Sequence, residues 1–160
     1  MNTDLKNLRA LRAVRARREE RTAGLRARYA RECEQIRQQH DEARRASERF
    51  RQDVGQQQIG RWQTLFSAAF NDVAVLQACQ QDIADAAAIV RADQQVAQLQ
   101  DRVNQAAGQL QEATAAHAAA TRKLEAASHL LTTRYRVHAA SEERRSEAEQ
   151  EDIWGARHFA

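Results

Sequence analysis

The side chains best suited to chemistry in this 160-residue chain are five histidines and two cysteines. A metal centre needs several imidazoles or thiolates converging on one point. His40, His117 and His138 fall at positions that a helix would turn toward a neighbouring helix, where a polar residue more often sets register than binds a metal. His129 and His158 lie off that pattern. Cys33 and Cys79 stand 46 residues apart without metal-ligand spacing, and read as reduced, structural thiols rather than a disulfide framework. Acidic pairs such as Glu142–Glu143 sit in a charged stretch where water is the default partner. The chain holds no Walker loop, G-x-S-x-G, H-E-x-x-H or C-x-x-C, and five glycines are too few for a phosphate cradle. These residues predict a protein that is not an enzyme, with no catalytic residue, cofactor or metal.

Charge is the more informative chemistry. A net charge of +3 conceals a strong asymmetry: residues 1–61 carry 16 Lys/Arg against 9 Asp/Glu, whereas residues 141–160 carry 3 against 6. The densest part, 5–31, includes Arg9, Arg12, Arg15, Arg17 and Arg18, opposed only by Glu19 and Glu20. Three readings compete: a solvated face paired with acidic residues, a surface for nucleic-acid phosphates, and a surface steered onto an acidic collar of another protein. No aromatic residue interleaves positions 1–28 and no zinc motif is present, so a protein partner is favoured over nucleic acid.

The elements that must carry these residues follow from composition. The chain has no proline and is dominated by Ala, Arg, Gln and Glu, all strong helix formers. Apolar residues reach 42%, but many are Ala, which leaves little large apolar area for a thick core. No apolar run approaches the length needed to span a bilayer. The N-terminus lacks the apolar core of a secretory signal, and its Arg-rich pattern continues without a break beyond any transit-peptide length. The expected location is cytoplasmic.

Tyr29, Cys33, Ile36, His40, Ala43, Ser47, Phe50 and Val54 step by fours and threes, which is a heptad seam. A second seam runs from Val96 through Leu99, Val103, Ala106, Leu110, Ala113, His117, Ala120, Leu124 and Ala127 to Leu131. Between them, Trp62, Phe66, Ala69, Val73 and Leu76, then Ile83, Ala87 and Val90, form a line out of phase with both. The slip between Val90 and Val96 falls among good helix formers and reads as a stutter. The slip between Val54 and Trp62 coincides with Gly55 and Gly60, and marks where the chain turns back.

The predicted fold is therefore all-α: one elongated antiparallel two-helix coiled-coil hairpin. Its first helix covers about 3–54, its turn about 55–60 and its longer second helix about 61–150, followed by a charged C-terminal tail. The first arm would be roughly 75 Å long at about 1.5 Å per residue. The alternative is a bulged continuous helix that dimerises. Just past the expected turn lies the most concentrated apolar surface, "RWQTLFSAAFNDVAVL". There the Trp62 line would serve the seam, leaving Leu65 and Phe70 beside it, exposed at the tip as anchors for a partner or packed into a small closing core.

The segments "GQQQIGRWQTLFSAAF" and "EERRSEAEQEDIWGARH", set in a chain with a basic amphipathic first helix and a Gln/Ala/Arg-rich second, resemble the central-stalk proteins of bacterial type III export machines. This is the FliJ/YscO group, and the Hrp-type members are most similar in composition and length. The resemblance implies a cytosolic antiparallel coiled coil that enters the pore of an export ATPase hexamer. It also implies a link to a membrane export gate, and in some members binding of export chaperones. It implies an ATPase contact at Arg9, Arg12, Arg15, Arg17 and Arg18, and a gate contact at the tip through Phe50, Trp62, Leu65, Phe66 and Phe70. The chain departs from the flagellar members in having few tip tyrosines and an aromatic tail, Trp154 and Phe159. The expected function is thus a virulence-associated protein-transport stalk, peripheral to the inner-membrane apparatus. The competing classes are a basic nucleic-acid-binding coiled coil and a homodimeric scaffold.

Overall fold

The structure is a computed structural model; it describes the backbone of residues 3–69 and 71–158, and the side chains of these except at 152, 153 and 155–158. It contains two helices, α1 (Thr3–Ser67) and α2 (Asp72–His158), packed antiparallel, with no strand among the described residues. The fold is an all-α two-helix hairpin.

The turn is not at 55–60. α1 runs through Gly55 and Gly60 and ends at Ser67. A glycine inside a helix costs only about 1 kcal/mol relative to alanine, too little to break a helix held along its length by a neighbour. The reversal is instead set by a start signal. Asn71 caps α2: its side-chain Oδ1 accepts from the backbone N–H groups of Val73 (3.0 Å) and Ala74 (3.4 Å), and its carbonyl accepts from Val75 (3.1 Å). This satisfies N–H groups that a helix start leaves unpaired. Asp72 then adds a negative charge to the first turn, where the helix dipole favours it.

The chain divides into two compact units, one of residues 1–27 with 112–160 and the other of residues 28–111. In the first unit Leu5 and Leu131 are buried and Ala127 is fully enclosed. Thr22 and Glu19 face His117, the hydroxyl 3.4 Å and the carboxylate 3.7 Å from Nδ1. In the second unit Cys33, Val54, Ala78 and Ala106 form the buried core. Buried Ser47 donates to Asp93 at 3.0 Å, and Arg51 donates to both carboxylate oxygens of Asp93. Both cysteines are free, Cys33 buried and Cys79 exposed.

The Val96–Leu131 seam is present as expected, partly buried throughout and closed at Ala106, Ala127 and Leu131. The stutter before it is not. Heptad steps continue backwards without a slip through Ala92, Ile89, Asp85 and Asp82 to Ala78, all buried or half-buried. The large residues followed in the sequence, Val73, Leu76, Ile83 and Val90, are instead 53–71% exposed. On α1 the position seven residues after Val54 is Arg61, which keeps the phase that Trp62 had suggested was lost.

A Cβ built on Gly55 or on Gly60 meets nothing within 4 Å. Gly55→Ala and Gly60→Ala should therefore each raise stability to urea by about 0.5–1 kcal/mol. If the chain turned at these positions, the double variant would unfold earlier than the parent instead.

Candidate functional site

The five arginines expected to face a partner divide into two groups. Arg9 lies over the Tyr135 ring, 5.2 Å from its centroid, and its Nε donates to the tyrosine hydroxyl. Arg12 Nε donates to Ser128 Oγ at 3.3 Å, and an Arg15 guanidinium N–H donates to the Lys123 carbonyl at 2.8 Å. These three cross to α2 and tie the two helices of the terminal unit together. Heptad phase explains it: Arg12 and Arg15 fall on the seam line that runs through Leu5, Leu8, Glu19 and Thr22, and Arg9 stands beside Leu8 at its edge. Arg17 and Arg18 are exposed, with no partner among the described residues. They are the free cations of the set.

At the turn, the structure redistributes the expected tip residues. Trp62 is half-buried, donates from Nε1 to Asp82 Oδ2 at 2.8 Å, and holds its ring 5.9 Å from that of Phe66 at an interplanar angle of 31°. Phe66 is 82% exposed, whereas Leu65 is half-buried. The expectation that Phe66 lines the seam and Leu65 stands outside it is thus reversed, because Arg61 rather than Trp62 holds the seam phase. Phe50 is on α1 some 25 Å of helix before its end, so it does not join the others. Phe70 lies outside the described residues.

The group that sequence reasoning missed is the polar cluster beneath Trp62. Arg61 donates to Asp82 at 2.9 Å and to Asp85 at 2.7 Å, while Gln81 donates to Asp85 at 2.8 Å. Its signal was available: extending the 96–131 heptad backwards lands on both aspartates. The Arg61 hydrogen bond, and after it the Gln81 amide, hold the Asp85 carboxyl below the usual carboxylate range. Asp85 in turn keeps Arg61 more firmly protonated, against the opposing effect of burial. Arg61 Nε is buried and finds no acceptor among the described residues. Two carboxylates sharing one guanidinium make a charged clasp that needs all three members, since loss of the cation leaves two like charges facing each other in a seam.

Above this clasp the outer faces of both helices carry apolar side chains. Ile59 and Phe66 on α1, and Leu76, Ile83 and Val90 on α2, each sit about 100° from the seam in the same rotational sense. In two antiparallel helices that places them on one side of the pair. All five are more than half exposed, which makes an uncovered apolar stripe rather than a scatter of single apolar residues. No helix among the described residues is long and apolar enough to cross a membrane, and these residues hold no cluster of three or more His, Cys, Asp or Glu arranged for a metal ion. No family model, curated protein or solved structure matches the chain.

The lowered carboxyl range of Asp85 means that its clasp contributes stability above the ordinary carboxylate value of 3.8 and loses it as pH falls through the folded-state value. Asp85→Asn should therefore lower the urea midpoint at pH 7, and the gap to the parent should close as the pH is taken into and below that range. Arg61→Ala should be more damaging at pH 7 than the triple variant Arg61→Ala, Asp82→Ala, Asp85→Ala, which removes the carboxylates as well.

Proposed function

We propose that this chain is a non-enzymatic central stalk of a bacterial type III secretion apparatus, linking an export ATPase hexamer to a membrane export gate. It would work in the cytoplasm at the inner membrane, with secretion chaperones as further partners. The observation that carries the reading is that each unit of the two-helix hairpin exposes a chemically different surface. The terminal unit is cationic, with Arg17 and Arg18 unpaired; the unit holding the turn is apolar, with Phe66, Leu76 and Ile83 uncovered.

The chemistry of the two surfaces suits different tasks. Exposed guanidinium groups attract an acidic ring at a distance and fix orientation without a deep apolar contact, which favours rapid engagement over tight locking. An aromatic and aliphatic face desolvates on contact and holds a partner more firmly. Arg9, Arg12 and Arg15 serve this function indirectly, by cross-linking the helices that display Arg17 and Arg18. Trp62 does the same at the other surface, anchoring Phe66 through its bond to Asp82.

Co-purification from cells that carry the secretion apparatus tests the reading. Arg17→Glu with Arg18→Glu should reduce capture of the hexameric ATPase about tenfold while far-UV helicity is unchanged. Phe66→Ser with Ile83→Ser should spare the ATPase and release the gate protein. Undiminished capture of both partners by both variants would refute the proposal. Salt-sensitive binding of nucleic acid without any ATPase would replace it.

A further inference from the structure

The terminal unit carries a second stripe that the hairpin seam does not use. Leu11, Val14, Arg18, Arg21 and Leu25 follow one another at steps of three and four, each one position before the seam. Across from them α2 presents only short side chains, Ala116, Ala119 and Ala120, until Lys123. The result is a groove of about 650 Å³ running between the helices. Its floor is apolar, with Leu11, Val14 and Leu25 exposed by 38, 50 and 41%. Its rim is cationic, because Arg18 and Arg21 stand on one side and Lys123 on the other, all exposed and without side-chain partners among the described residues.

Each part of this arrangement restricts what can lie there. Repetition over two heptads matches the face of another α-helix, about 21 Å long at 1.5 Å per residue, and the alanines let its backbone approach closely. The apolar floor requires leucine-like residues on that helix, most of all at its two ends, opposite Leu11 with Val14 and opposite Leu25. The arginines in the middle of the stripe and the lysine across the groove require carboxylates between and beside them. Phosphate groups would satisfy the rim but leave the floor in water, and no aromatic among residues 1–28 offers a base a stacking surface. The chain's own acidic stretch does not fit either: between Glu142 and Asp152 the only apolar residue is Ala148, so a second copy's tail would meet the rim and miss the floor.

We propose that this groove is the docking site for an acidic amphipathic helix of a partner protein, laid along residues 11–25 between α1 and α2. It extends the stalk reading to a second surface that shares Arg18 with the first, but its floor of Leu11, Val14 and Leu25 and its alanine wall take no part in that reading, so it survives if no ATPase is found. The mode is helix-in-groove recognition, with apolar anchors supplying affinity and the charged rim supplying direction and selectivity.

The test uses the full chain and a fluorescein-labelled synthetic 18-residue helix with leucines at both ends of one face and glutamates between and beside them. Anisotropy should show saturable binding, at least about tenfold tighter than to the same peptide with lysines for glutamates and to a scrambled peptide of equal composition. Val14→Ser with Leu25→Ser should weaken binding about tenfold with helicity unchanged. Ala116→Phe, which fills the groove without altering charge, should do the same. Equal binding of the scrambled peptide would reduce the site to a charged surface and overturn the proposal. So would unaltered binding by these variants, displacement by a single-stranded oligonucleotide that binds the parent and the serine variant alike, or self-association abolished by Ala116→Phe.

Discussion

Each helix of this chain has one narrow stripe available for burial, and that stripe is thin. Of the buried apolar residues, Ala78, Ala106 and Ala127 contribute almost no side-chain volume, and Cys33 is the largest side chain that is fully enclosed. Alanine lets helix backbones approach closely, but it removes little apolar surface from water. It also sets register weakly, since one alanine is like the next. Polar contacts across the seam therefore decide which residues oppose which. Ser47 with Asp93, Thr22 and Glu19 with His117, and Arg61 with Asp82 and Asp85 can each be satisfied in one alignment only. Such contacts add modest stability and considerable specificity, as a lone polar seam residue does in other coiled coils.

The same economy explains the surfaces. With Arg61, Asp82 and Asp85 occupying seam positions near the turn, the large apolar residues next to them in sequence are turned outward. Phe66, Leu76, Ile83 and Val90 are exposed because the charged clasp holds the phase, and Trp62 is half-covered because its indole reaches into that clasp. In the terminal unit the seam is closed by leucines and alanines, and Leu11, Val14 and Leu25 are left on a second stripe among unpaired cations. A chain of this composition could have buried those groups in its own seam. It leaves them uncovered instead.

The absence of proline, the dominance of helix formers and the 3-4 spacing from Val96 to Leu131 were sufficient to establish long helices paired along a heptad seam, because helix propensity and hydrophobic period are local properties of a chain, but they left a hairpin and a dimer of one continuous helix both open. Both heptad seams read from the sequence are present, except that Phe50 of the first is exposed. The position of the turn was legible in principle, since Asn71-Asp72 is an ordinary helix start, but two glycines and an aromatic residue drew attention to 55–62. Glycine lowers propensity by an amount that packing readily overrides, whereas a cap redirects the chain. The basic arm was legible as well, down to its individual arginines.

Tertiary structure alone decided what those residues face. Heptad phase sets Arg12 on the seam and Arg18 one position before it, but no local rule supplies Ser128 as the partner of Arg12, because it lies on a helix about a hundred residues away in the chain. The heptad continued from Val54 points to Arg61, but residue type alone favours Trp62 and Phe66 for the seam, and only the opposite helix decides between them. A guanidinium belongs in a seam only when carboxylates wait opposite, and Asp82 and Asp85 reach that place only once Asn71 has turned the chain. Composition and period thus determined that helices would pair; the location of the cap and the long-range charge match determined which faces were spent on that pairing and which remained uncovered.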